Sequence, residues 1–153
     1  MINSKELYDS TITFYNNASL YDAESDYFED IDFWLDLCDT NGDSVLELAC
    51  GTGRVGHPLI QEGFDYYGLD FSQDFVQSFQ EKVRSELNPS QINKGDMRNF
   101  SIDRTFQSII MPYNALAHLY DFKDLLRCFT SIRSTFPKMA CSLFKFLTLM
   151  FYL

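Results

Sequence analysis

The stretch Val45-Leu46-Glu47-Leu48-Ala49-Cys50-Gly51-Thr52-Gly53-Arg54-Val55-Gly56 constrains the fold more than any other part of the chain. Val45, Leu46 and Leu48 place aliphatic side chains on both faces of a short segment, the pattern of a parallel strand covered by helices on either side. Glu47 is the exception in that strand. Ala49, Gly51 and Gly53 then remove side chains from the place where the chain must turn sharply and where its backbone can come close to a ligand. The turn is a candidate binding loop at the carboxyl end of a buried strand.

The rest of the chain alternates between helical and strand-like periods. Phe28, Ile31, Leu35 and Cys38 recur at helical spacing and predict an amphipathic helix over 26–39, ended by the turn residues Asn41-Gly42-Asp43. After the glycine turn, Val55, Leu59 and Ile60 predict a short helix that carries Pro58 near its start and closes at Gly63. Residues 66–70 read as a second buried strand. Ser72 is a plausible N-cap for a helix with the apolar stripe Phe75, Val76, Phe79 and Val83, stopped by Asn88-Pro89. Strands are predicted near 91–94 and at 106–111, and Leu125, Phe129, Ile132 and Phe136 mark a final helix. The order is a leading helix followed by β-α-β-α-β-β-α. Such alternation builds an α/β domain with a doubly wound, mostly parallel sheet, helices on both faces and right-handed connections.

Composition sets the partners that such a domain can take. With 153 residues, 46% of them hydrophobic, the chain is large enough for one domain with a real core. Its net charge of -10 opposes a phosphate backbone, and Lys and Arg are not gathered into a basic run, so no nucleic acid is expected. The start of the chain lacks the pattern of a secretion signal, and no apolar run is long enough to span a bilayer. A cytoplasmic protein without a membrane partner is the expectation. Cys38, Cys50, Cys128 and Cys141 form no C-x-x-C pair and only His57 and His118 are available to join them, so no metal site is expected.

Ligands of doubly wound sheets bind outside the carboxyl ends of the strands, where the strand order reverses. Glu47 lies near the end of the first strand, Asp70 ends the second, Asp96 follows the third and Pro112-Tyr113-Asn114 follows the fourth. Two cofactor classes compete for that crevice. Gly51-Thr52-Gly53-Arg54-Val55-Gly56 formally satisfies the dinucleotide pattern, with Asp70 near the distance expected of a ribose-binding acid. In that pattern, however, the first glycine leaves the apolar strand directly, whereas here Glu47-Leu48-Ala49-Cys50 intervenes. A glutamate facing the crevice opposes a pyrophosphate and suits an ammonium or sulfonium group. A cationic cofactor bearing a ribose fits better than NAD.

These residues carry a family resemblance. VLELACGTGRVG, then YYGLDFS, KGDMRNF and FQSIIMPYNALAHL resemble, in order and separation, the class I S-adenosylmethionine-dependent methyltransferases. The similarity is greatest to their small-molecule branch, where an N-terminal segment with a Tyr-Asp pair precedes the core, and it runs from about Tyr21 to about Phe136. The resemblance implies a Rossmann-like fold, S-adenosylmethionine as cofactor and a small-molecule methyl acceptor. It implies that Glu47, Ala49, Gly51 and Gly53 cradle the methionine part and that Asp70 accepts both ribose hydroxyls. By the same resemblance Phe71 would pack near the adenine, Asp96 and Met97 would contact its amino edge and face, and Met111, Pro112 and Tyr113 would lie beside the sulfonium. Ala49 stands where the family usually has glycine, and its methyl group is expected to be tolerated on ordinary backbone angles.

The residue expected to take a proton from the acceptor is His118, whose ordinary pKa suits that role. Tyr113 and Asn114 are candidates for shaping the acceptor site, Tyr15 or Tyr21 for closing over the cofactor and Arg54 for meeting its carboxylate; Trp34 is expected in the core. A catalytically inactive cofactor-binding fragment and an NAD-binding Rossmann protein are the alternative readings. The end of the chain departs from the family pattern. After Lys138 a glycine turn, a fifth strand and further strands are expected, but the chain reads MACSLFKFLTLMFYL. Permitted codons for that tail, read one base out of frame, can spell Gly-Leu-Phe-Leu-Ile-Gln-Ile-Phe-Asn-Pro, which resembles the missing turn and strand. The expectation is a single cofactor-binding domain over 1–153, truncated by a frameshift near Lys138, with 139–153 as an atypical tail.

Overall fold

A computed structural model describes residues 15, 17–25, 30–86 and 91–135. The Asn88-Pro89 stop, Phe28, Phe136 and the tail at 139–153 lie outside them. Helices α1 (Ala18–Ser25) and α2 (Ile31–Asn41) precede strand β1 (Ser44–Leu48). Helix α3 (Gly56–Gln61), strand β2 (Asp65–Asp70), helix α4 (Gln73–Lys82) and strand β3 (Ile92–Lys94) follow. Strand β4 (Ser108–Ile110), a 3-10 turn over Ala115–His118 and helix α5 (Phe122–Ser134) complete the described chain.

The four strands form one parallel sheet in the order β3-β2-β1-β4. The chain moves outward from β1 to β3 and then returns to the other side of β1, so the strand order reverses between β1 and β4. Residue alternation along β1 divides the core. Val45 packs with Trp34, Leu59, Tyr66, Val76 and Phe79 beneath α2, α3 and α4, while Leu46 and Leu48 pack with Leu69, Ile109, Met111, Cys128 and Ile132 beneath α5. Both faces are therefore covered, as the aliphatic run of β1 requires. No helix among the described residues is long and apolar enough to cross a membrane.

Several boundaries differ from expectation for identifiable reasons. Helix α2 continues to Asn41, whose amide donates to the Leu37 carbonyl at 2.6 Å, and ends only at Gly42. Strand β4 is shorter than 106–111 because Phe106 donates its N–H to Thr135 at the end of α5 instead of to β1. Ser72 caps α4 as expected, its hydroxyl accepting from Phe75 N at 3.3 Å. Helix α1 has no apolar periodicity in its sequence. Its start is held both locally, where Asn17 Oδ1 accepts the Leu20 N–H at 3.1 Å, and from elsewhere in the fold, where Asp74 Oδ2 accepts the Ala18 N–H at 2.9 Å.

Candidate active site

The carboxyl ends of β1 and β2, with the segments after β3 and β4, enclose one pocket. Its first wall is the loop after β1. Cys50 N donates to Leu69 O at 3.1 Å, which carries the β1–β2 ladder one step past the strand, and Gly51 N donates to Asp70 Oδ2 at 2.8 Å. The turn between strand and loop falls on Ala49, which takes φ 58°. The condition on which its methyl group was expected to be tolerated, ordinary backbone angles, is not met: the left-handed region crowds a Cβ atom, at a cost of roughly 1–2 kcal/mol. Ala49 occupies a conformation that suits glycine.

The buried acids define the electrostatics of the loop. Glu47, 2% exposed, accepts the Tyr66 hydroxyl at 2.6 Å, and burial, only partly opposed by that bond, pushes its carboxyl up to about 8. Asp70 is 8% exposed, and its two oxygens accept from Gly51 N and Ser72 N, each at 2.8 Å. Burial still raises its pKa above the ordinary value. Arg54 reaches toward the same loop but is held in a fork by Asp30, which also accepts Trp34 Nε1 at 2.8 Å. Its guanidinium lies 6.0 Å from the Tyr113 ring centroid. Trp34 itself is fully buried in the core.

An aromatic series crosses the pocket. Tyr21 of α1 lies 4.9 Å from Phe75 and 5.8 Å from Tyr15 between ring centroids, and Tyr15 lies 5.4 Å from His118 at an interplanar angle of 82°. The series joins the β1 side of the crevice to the segment after β4. Polar tethers hold α1 in place: Asp22 accepts the Thr52 hydroxyl and pairs with Lys82 at 2.7 Å, and Lys82 also donates to Thr52 O at 3.1 Å. His118 Nδ1 is buried with no hydrogen-bond partner among the described residues. Burial lowers the His118 pKa and so favours the neutral imidazole over the cation. Tyr113 and Asn114, just before it, both take positive φ, 52° and 54°. Consecutive left-handed residues without glycine are uncommon and concentrate at ligand sites.

Of the expected site residues, Tyr21, Glu47, Ala49, Gly51, Asp70, Phe71, Asp96, Met97, Pro112, Tyr113 and His118 line this pocket. Gly53 and Met111 do not. A Cβ atom on Gly53, at φ 91°, would stand 2.3 Å from the Phe79 ring, and one on Gly56 would stand 2.4 Å from the Tyr66 hydroxyl. Both glycines let the loop and α3 lie against buried aromatics. Met111, 1% exposed, points into the core under α5, while the adjacent Pro112 faces the pocket. Sequence reasoning missed Phe75 and Arg98, which also line it. Phe75 was indistinguishable from the rest of the α4 stripe; Arg98 was signalled only by the acid two residues before it.

The site is composed for a ribose-bearing ligand, with Asp70 as its buried carboxylate and Glu47 as a buried carboxyl that burial keeps protonated at neutral pH. Two buried carboxyl groups face the loop, and its nearest cation is already matched by Asp30. A pyrophosphate there would meet the Asp70 carboxylate, which already accepts the Gly51 and Ser72 N–H groups, where it needs donors. Comparison with known proteins agrees with this geometry. Residues 45–136 match the family model described as a methyltransferase domain. The chain is 29% identical over 82 residues to dTDP-3-amino-3,4,6-trideoxy-alpha-D-glucopyranose N,N-dimethyltransferase of Streptomyces venezuelae, covering 54% of this chain and 33% of that one. It is 30% identical over 96 residues to glycine/sarcosine N-methyltransferase of Parasynechococcus marenigrum, covering 61% and 34%. The crystal structure of an S-adenosylmethionine-dependent methyltransferase from Clostridium acetobutylicum superimposes with a TM-score of 0.66 at 27% identity, over 86% of this chain and 54% of that one. The chain spans about half or less of the length of the curated relatives it matches. A match over most of the fold, with the strand-end loops in family order, places this chain in the class I S-adenosylmethionine-dependent methyltransferases.

Proposed function

We propose that this pocket binds S-adenosylmethionine and directs its methyl group to a small-molecule acceptor. The observation that carries the reading is Asp70: a buried carboxylate at the end of β2, held by two backbone N–H groups and lining the pocket, suits a pair of ribose hydroxyls. Glu47, Ala49 and Gly51 take the methionine part, Phe71, Asp96 and Met97 the adenine, and Pro112 and Tyr113 the neighbourhood of the sulfonium. Tyr21 covers the cofactor from α1, and Tyr15 does so from three positions before the start of that helix. Arg54 presents its positive charge to the cofactor carboxylate from within the Asp30 fork.

S-adenosylmethionine supplies a methyl group already activated for displacement, so the protein's work is alignment, exclusion of water and proton removal. The Tyr15–Tyr21–Phe75 series excludes water above the loop. Neutral His118 accepts the proton lost by the acceptor. Nitrogen is the first acceptor atom to test, because both curated relatives described above are named for transfer to nitrogen. Calorimetric titration with S-adenosylhomocysteine and, separately, with NAD tests the cofactor. Binding of the former alone is expected, and binding of NAD alone would sink the reading. A methyl-release assay across amine and hydroxyl acceptors then separates turnover from binding without turnover.

A further inference from the structure

Arg98 lines the base end of the pocket, yet none of the roles above uses it. Its Nε and Nη2 fork onto the Asp96 carboxylate, with Nε at 2.9 Å from Oδ1 and 3.0 Å from Oδ2 and Nη2 at 2.7 Å from Oδ2. Its backbone N–H also donates to Asp96 Oδ1 at 2.9 Å. The remaining arm, Nη1, donates to Asp124 Oδ2 at 2.9 Å in the first turn of α5, where Asp124 N is itself capped by Asp121 at 2.7 Å. Asp96 is thus pinned in plane and in direction from a helix end on the opposite side of the loop.

We infer that Arg98 is a positioning residue for base selection: it fixes the Asp96 carboxylate so that this end of the pocket takes a 6-aminopurine and rejects a 6-oxopurine. The inference rests on the cofactor reading of the pocket. A carboxylate offers about four acceptor directions and no donor. Three protons from Arg98, one of them shared between both oxygens, occupy most of these, and the side chain keeps 28% of its surface exposed. One fixed acceptor direction therefore remains for a ligand. An exocyclic amino group fills it with an N–H donor, whereas a 6-oxo group sets a second acceptor against a negative oxygen. Without the fork, the Asp96 side chain is free to rotate or to protonate, and a protonated carboxyl donates to a 6-oxo group.

The test titrates S-adenosylhomocysteine and its 6-oxo counterpart, S-inosylhomocysteine, into the wild-type chain, Arg98→Lys and Arg98→Ala, with a thermal melt of each. Wild type is expected to prefer the adenine ligand by roughly 10- to 100-fold, the range of a hydrogen bond to a charged group. Arg98→Ala should bring that ratio toward unity by losing affinity for the adenine ligand, and Arg98→Lys, which keeps the charge but not the fork, should fall between. Equal wild-type affinity for both ligands overturns the inference while leaving the cofactor reading intact. So does an equal loss for both ligands in the Arg98 variants, which marks a purely structural tie to α5. If Arg98→Ala melts below the assay temperature, Arg98→Lys alone decides between these outcomes. Wild type binding neither ligand defeats the cofactor reading and the inference with it.

Discussion

Tyr66 donates its hydroxyl hydrogen to Glu47 Oε2 at 2.6 Å inside a core that admits almost no water to either side chain. The carboxyl ionises near pH 8 in the folded chain against an ordinary value of 4.5, so between those values the folded state holds a proton that the unfolded state has lost. Its contribution is fully present below pH 4.5 and is lost as pH rises through 8. Buried Asp70, also raised, acts in the same direction. Denaturant titrations at pH 5, 6.5 and 8 should show stability falling across the series, and Glu47→Gln should flatten it. A wild-type profile no steeper than that of the glutamine variant would mean that Glu47 is already ionised.

Asp70 has no substitute at the end of β2. Asp70→Ala removes the acceptor and also strands the N–H groups of Gly51 and Ser72, so the loop loses its anchor as well as the proposed ribose contact. Affinity for S-adenosylhomocysteine should weaken by roughly 1.5–3 kcal/mol. Calorimetry checks it, and an unchanged affinity would place the ribose elsewhere.

Ala49 bears a methyl group in a left-handed turn. Ala49→Gly should stabilise the chain by about 1 kcal/mol, since glycine reaches φ 58° with no Cβ to crowd against the following carbonyl. Paired denaturation curves at one pH measure the difference. A loss of stability would show that the alanine methyl group makes a packing contact worth more than the strain.

Gly53 presents the opposite case. Gly53→Ala would put a carbon 2.3 Å from the ring of fully buried Phe79 and force an alanine to φ 91°, and it should destabilise by roughly 2–4 kcal/mol. The pairing Gly53→Ala with Phe79→Leu should recover part of the loss. Equal stability of Gly53→Ala and wild type would contradict the packing.

The sheet and its ligand-bearing end were legible in the sequence because buried parallel strands leave an unmistakable mark: aliphatic residues on both faces, then small residues or an acid at the exit. That mark located β1, β2, Glu47 and Asp70, whereas Asp96 follows the short, polar β3 and was placed by the order of the family motifs. What it cannot encode is which of two adjacent side chains turns inward once the strand has ended. Met111 and Pro112 illustrate this, since the core claims the first and the pocket the second. Helix α1 was illegible for another reason. Its place is set by Asp22, Asp74, Thr52 and Lys82, contacts up to 60 residues apart in sequence, and not by an apolar stripe of its own.

His118 carries the prediction about chemistry. Its Nδ1 is buried without a partner among the described residues, its ring stands edge-on to Tyr15, and burial favours the neutral imidazole over the cation. A base of this kind keeps working below its ordinary pKa of 6.5, because the proton that would silence it is held less tightly than in water. With an acceptor that turns over, the acid limb of kcat should therefore fall below pH 6.5. His118→Gln should slow kcat by roughly 10²- to 10⁴-fold and abolish that limb. Affinity for S-adenosylhomocysteine should stay unchanged, which separates proton removal from cofactor binding. A glutamine variant that retains both the rate and the acid limb would remove His118 from the chemistry and leave it as the packing partner of Tyr15.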